Sequence, residues 1–99
     1  MKYTIKLPTK VKVGGHYYDV AFQPDMLLEE GNGGAHSPRT EKIRIDPAAS
    51  FRAELLIHET LHAINRIWNN GQVEERDIDA FSEGIFQVLT DLGIEIEVT

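Results

Sequence analysis

From Ala53 to Trp68 the chain reads AELLIHETLHAINRIW, and this stretch decides the fold. Ile57, Leu61, Ile64 and Trp68 recur at helical spacing, and Leu56, Ala63 and Ile67 widen the stripe, so a well-buried helix is expected up to about Trp68. Asp46 or Ser50 is suited to cap its start, with Pro47 tolerated in a first turn. Asn69-Asn70-Gly71 stops it. His58 and His62 are one turn apart and share the flank opposite the apolar stripe. Two imidazoles so placed can reach one Zn²⁺ at roughly 2.0–2.1 Å. Glu59 lies about 100° round the helix, beside the pair, where it can hold a water and take its proton. The bland alternative, two solvated histidines at chance spacing, fits poorly with the uncharged neighbours Leu55, Leu56, Ile57, Thr60 and Leu61.

A second helix is expected from about Val73 to Asp91. Its stripe is Ile78, Phe81, Ile85, Leu89 and Leu92, with Val88 alongside. A catalytic zinc takes a third protein ligand. The chain has no cysteine, which leaves His16, His36 and the acids of this second helix. Asn69 to Glu74, fully extended, spans about 20 Å, and the return from Trp68 to the level of His62 needs only about 9 Å. An acid in the first turn therefore reaches the metal. Periodicity does not decide between Glu74 and Glu75, although the flank shared with the histidines mildly favours Glu75. Asp79, one turn on, would lie where a carboxylate can accept a ligand histidine's second N–H.

The first half reads as strands and turns. Tyr3 to Leu7 and Lys10 to Val13 alternate, Gly14-Gly15 marks a hairpin, and His16 to Phe22 is the return strand. Pro24 to Glu30 allows one helical turn, Gly31 to Gly34 is a loop, and Lys42 to Asp46 alternates as a half-buried strand. Ile94 to Val98 alternates again after Gly93. The expected fold is α+β. A small, mostly antiparallel sheet precedes an active-site helix and a glutamate-bearing helix, all in one domain spanning residues 1–99.

Composition narrows the partners. The 99 residues include 10 basic and 16 acidic ones, a net charge of −6, with no basic block. Nucleic acid and anionic membrane surfaces are therefore not expected. Without cysteine there is neither disulfide nor thiol chemistry. The opening residues lack the apolar run of a signal peptide, and a cytoplasmic location is expected.

His58-Glu59-x-x-His62 followed by Glu75-x-x-x-Asp79 resembles the gluzincin metallopeptidases. The run Glu75 to Ser82 looks like the glutamate helix of ImmA/IrrE-type enzymes, many of them phage- or plasmid-encoded. The size and element order look like the minigluzincins. The resemblance covers Lys42 to about Leu92 and the N-terminal strands by pattern only. It implies a zincin-like minimal core in which His58, His62 and Glu75 bind zinc, Glu59 is the general base, and Asp79 supports a histidine. It also implies that Lys42 to Asp46 is the edge strand that pairs with an extended peptide or protein substrate. Relative to larger members the chain lacks a second subdomain. A developing oxyanion often takes a further donor; His36, and after it Tyr17, Tyr18 and Arg44, are the candidates, whereas an exposed loop position is as natural a reading for His36 and His16. Two alternatives to an active peptidase stay open. One is a latent enzyme with Ile94 to Thr99 over the cleft; the other is a non-catalytic interaction module with structural zinc.

Overall fold

The computed structural model describes residues 1–99 as an α+β fold. Its elements are β1 (Lys2–Ile5), β2 (Lys10–Val13), β3 (His16–Phe22), α1 (Met26–Glu30), β4 (Gly34–Ser37), β5 (Lys42–Ile45), α2 (Arg52–Asn69), α3 (Glu75–Asp91) and β6 (Glu95–Val98). No helix is long and apolar enough to cross a membrane.

Four strands form one sheet in the order β2-β3-β5-β4. β2 and β3 make the expected hairpin, with Val13 opposite His16. Gly14 turns it at φ 59°, and a Cβ there would stand 2.7 Å from Ile67 Cγ2. Glycine is required at this position both by conformation and by the approach of α2. β3 and β5 run parallel, and β4 returns antiparallel to β5. The main sheet is therefore mixed and not mostly antiparallel, and β1 and β6 form a separate parallel pair.

That strand order corrects one expectation. Lys42–Ile45 is an inner strand, paired on both sides, and the free edge next to it belongs to β4. The reason is that α1 carries the chain outward before it doubles back, so β5 inserts between β3 and β4. The inner position suits Ile43 and Ile45, both fully buried.

One sheet face is apolar. Val13, Tyr18, Val20 and Ile43 pack on Ala63 of α2, with Leu56 and Ile67 around them. Burying each large apolar side chain stabilises by about 1.5–3 kcal/mol. Hence the face of α2 that meets the sheet is Leu56, Ala63 and Ile67. Half of the stripe expected to lead the burial turns outward: Ile64 is exposed and Trp68 is 72% exposed, whereas Ile57 and Leu61 are half-buried. A single amphipathic stripe cannot face both a sheet and a second helix, and α2 lies between the two.

Two local features differ from the expected caps. Asp46 does not cap α2, which begins after Phe51 without a side-chain cap. Its carboxylate instead accepts from the Leu27 N–H (3.0 Å) and the Ala48 N–H (2.9 Å), tying α1 to the end of β5. α3 starts at Glu75 and not Val73. The Asn65 amide explains this: it donates to the Val73 carbonyl (3.0 Å) and accepts from the Val73 N–H (3.1 Å), holding Val73 outside the helix.

Candidate metal centre

The inter-helix segment brings α3 back along α2. Asn70 and Gly71 both adopt left-handed conformations, reversing the chain, and the Asn65 clamp then fixes where α3 begins. Glu75 enters in the first turn, a position that also suits its charge to the helix dipole.

His58 Nε2 and His62 Nε2 lie 3.2 Å apart. The Glu75 carboxylate reaches both, with Oε1 3.2 Å from His58 Nε2 and Oε2 2.9 Å from His62 Nε2. Three ligands disposed tetrahedrally at roughly 2.0–2.1 Å around one ion stand about 3.3 Å from one another. The spacing of these donors fits that requirement. Glu74 is turned away and pairs with Arg76 at 3.5 Å.

The far nitrogen of His58 is also held. Its Nδ1 is 3.4 Å from Asp79 Oδ1 and 3.2 Å from Ser82 Oγ. The Ser82 hydroxyl donates to the Asp79 carbonyl (3.0 Å), leaving its oxygen free to accept from Nδ1–H. These partners fix the tautomer with the Nε2 lone pair directed toward His62 and Glu75. Ser82 had no signature of its own in the sequence. The signal was its position two turns after Glu75 on the same α3 face as Ile78, and it is buried there.

Glu59 is the third distinctive group. One donor atom from each of His58, Glu59 and His62 falls within 4.8 Å of the others, and a second such set joins His58, Glu75 and Asp79. His58, Glu59 and His62 thus form a metal-capable cluster. Of the two glutamates, Glu75 makes the short contacts to the imidazoles, so it is the better ligand and Glu59 the better neighbour. Glu59 is only 6% exposed. Burial pushes its carboxyl above the usual carboxylate range, and the acids Glu75 and Asp79 add to the rise while the histidines oppose it. No buried side-chain polar atom lacks a partner, and the Glu59 carboxylate makes no hydrogen bond to protein, so its oxygens open onto the cleft. That cleft holds about 690 Å³ and is lined by His58, Glu59, Glu75 and Asp79 on one side and by Leu27, Gly33 and Gly34 on the other.

Gly34 opens the edge strand. A Cβ there would lie 3.1 Å from Glu59 Oε2 and 3.2 Å from its Cγ. A bare backbone at this point lets β4 lie directly beside the carboxylate. Two residues on, His36 stacks on His62 with ring centroids 6.0 Å apart and planes 5° from parallel. Its Nε2 is 3.3 Å from the Tyr18 hydroxyl. Burial, then the nearby His62 and Arg66, lower His36 to about 4, so it is neutral near pH 7. The remaining candidates lie elsewhere. His16 pairs with Glu41 (2.7 Å), Tyr17 sits under Lys12, and Arg44 donates to Gln23. Ile94 to Thr99 does not line the cleft either; β6 pairs with β1, and Arg52 donates to the Val98 carbonyl (2.7 Å).

In comparisons with known proteins, the chain matches no family model, no curated protein and no solved structure.

Proposed function

We propose that the chain is a zinc-dependent endopeptidase of the gluzincin type. The observation that carries this reading is Glu59, a largely buried residue whose carboxylate has no protein partner and opens onto a cleft beside a His58–His62–Glu75 donor set. A structural ion would need only its ligands; a buried carboxylate next to them costs stability and is explained by proton transfer.

His58, His62 and Glu75 would hold the ion, with Asp79 and Ser82 orienting His58. When bound, zinc supplies a Lewis acid that polarises a carbonyl and makes water acidic near neutral pH. Glu59 takes one proton from the attacking water as its oxygen bonds to the carbonyl carbon. It then delivers that proton to the amide nitrogen as the C–N bond breaks. A carboxyl raised by burial is better matched to that exchange than an ordinary one.

The substrate is an extended peptide lying along the free edge of β4, where backbone groups can pair as in strand addition. Gly34 keeps its scissile bond close to Glu59. His36, neutral and on the same strand, would donate to the carbonyl oxygen, with Tyr18 against it.

Metal-loaded wild type and Glu59→Gln, assayed on an unfolded polypeptide, test the proposal. Wild type should cleave, and Glu59→Gln should keep its metal while cleavage falls about 10²–10⁴-fold. An inactive loaded wild type, or an undiminished Glu59→Gln, would overturn it.

A further inference from the structure

We infer that the cleft selects polypeptides carrying lysine or arginine immediately after the scissile bond, an inference that rests on the peptidase reading above. Five acids line the cleft, Glu54, Glu59, Glu75, Asp79 and Glu83, and no lysine or arginine does. Three of them belong to the metal centre. Glu59, 6% exposed and without a protein partner, opens onto the same space, which marks the cleft as a place for a ligand and not merely a solvated acidic surface.

Glu54 and Glu83 have no part in that centre. His58 Nδ1 faces Asp79 across the two helices at 3.4 Å. Glu54 lies one turn before His58 on α2, and Glu83 one turn after Asp79 on α3, which runs back along α2. The two carboxylates therefore stand at the next level of the helix pair, one on each helix. The basic residues nearest to them in the chain are engaged elsewhere: Arg52 donates to the Val98 and Pro47 carbonyls, and Arg76 pairs with Glu74. Neither glutamate belongs to a donor set tight enough to share a metal ion. A cation that suits two carboxylates further apart is a lysine ammonium or an arginine guanidinium, each with several N–H donors.

The walls suit the stem of such a side chain. Leu27 and Leu55 close on Gly33, where a Cβ would stand 2.8 Å from Leu55 Cδ1 and 3.7 Å from Leu27 Cδ2. Phe51, 64% exposed just before α2, lines the cleft as well. Apolar carbons and an aromatic ring cover the methylene stem while the acids take the charge. β4 sets the direction. Gly34 lies beside Glu59 and His36 stacks on His62, so β4 runs the same way as α2. A peptide added antiparallel to β4, the more stable pairing, runs the opposite way. Its residues after the scissile bond then lie over Gly33 and Leu55, toward Glu54 and Glu83.

Two measurements test this. In the first, zinc-loaded wild type is incubated with an unfolded polypeptide and the new termini are identified by mass spectrometry. The new N-termini should begin mainly with lysine or arginine. In the second, zinc-loaded Glu59→Gln binds short alanine–serine peptides that differ at one central position, arginine, alanine or glutamate, read by fluorescence anisotropy. The arginine peptide should bind about tenfold tighter than the alanine peptide at low salt, the glutamate peptide should bind weakest, and salt should shrink the preference. Adding Glu54→Gln or Glu83→Gln should each cut that preference about threefold with zinc retained. Cleavage without regard to charge, cleavage after the basic residue and not before it, equal binding of the arginine and alanine peptides, or a preference that survives both substitutions overturns the inference. A protein that binds with this preference while wild type cuts nothing overturns the peptidase reading and leaves the cleft's selectivity standing.

Discussion

Two carboxylates are buried in this molecule, and they sit in opposite electrostatic circumstances. At the corner after β5, Asp46 is 2% exposed and takes two backbone N–H bonds. Those bonds hold its carboxyl below the usual range. On the floor of the cleft, Glu59 is nearly as buried, accepts nothing from the protein, and is pushed up by burial. Burial alone therefore does not mark a functional acid. The distinction lies in whether the charge is already satisfied: Asp46 closes a corner, while Glu59 has its proton-binding oxygens free toward the cleft.

Substitutions can break or sharpen that contrast. The largest effect is expected on metal binding, in the Glu59 region only. Asp79→Ala removes a partner of His58 Nδ1 and should weaken metal affinity about 10–100-fold. Ser82→Ala, which leaves Asp79 in place, should fall at the low end of that range. Asp46→Asn should leave affinity unchanged in the same competition titration with a chromogenic chelator. A metal defect in Asp46→Asn would mean that the corner and the cleft are coupled.

The next effect is on stability at the corner. The folded-state value of Asp46 is lowered, so its contribution is present above the unfolded value of about 3.9 and is lost as pH falls through the folded value. Asp46→Asn should therefore lower Tm by several degrees at pH 7. The difference from wild type should close once pH falls below 4, as read by thermal melts across pH. A difference that persists in acid would show that the carboxylate's charge is not what matters there.

A smaller effect of opposite sign is expected in the cleft. In metal-free protein the folded Glu59 holds its proton more tightly than the unfolded chain does. Its stabilising contribution is then present below the unfolded value near 4.3 and is lost as pH rises through the higher folded one. Glu59→Gln should therefore melt slightly higher than wild type at pH 7 and no higher in acid. A lower melting temperature at pH 7 would place a hidden partner on the Glu59 carboxylate.

Much of the candidate site is legible in the sequence. His58, Glu59 and His62 are tied by local helical geometry, and spacing alone puts the two imidazoles on one flank. Glu75 and Asp79 required one further step, a short connection between helices, and chain length limited that step to the first turns of α3. What stayed hidden was non-local. Nothing in Lys42–Ile45 says that β5 inserts beside β3, so alternation alone cannot tell this inner strand from the free edge. Ser82 carries no motif, and its role exists only once α3 is seated on α2. The two stripes illustrate the same limit: Trp68 and Phe81 follow burial periodicity, yet α2 alone lies on the sheet and α3 packs on α2, so only part of each stripe is covered. Asp46 has the chemistry of a helix cap, but the helical N–H it accepts from is that of Leu27 in α1, earlier in the chain and not in α2.

The most direct test of the central claim is metal stoichiometry after dialysis, measured on Glu59→Gln and Glu75→Ala. If Glu75 is the third ligand and Glu59 the free base, Glu59→Gln retains one zinc per chain and Glu75→Ala retains almost none. Full occupancy in Glu75→Ala together with loss in Glu59→Gln would contradict the account, because Glu59 would then be a ligand and the cleft would have no base.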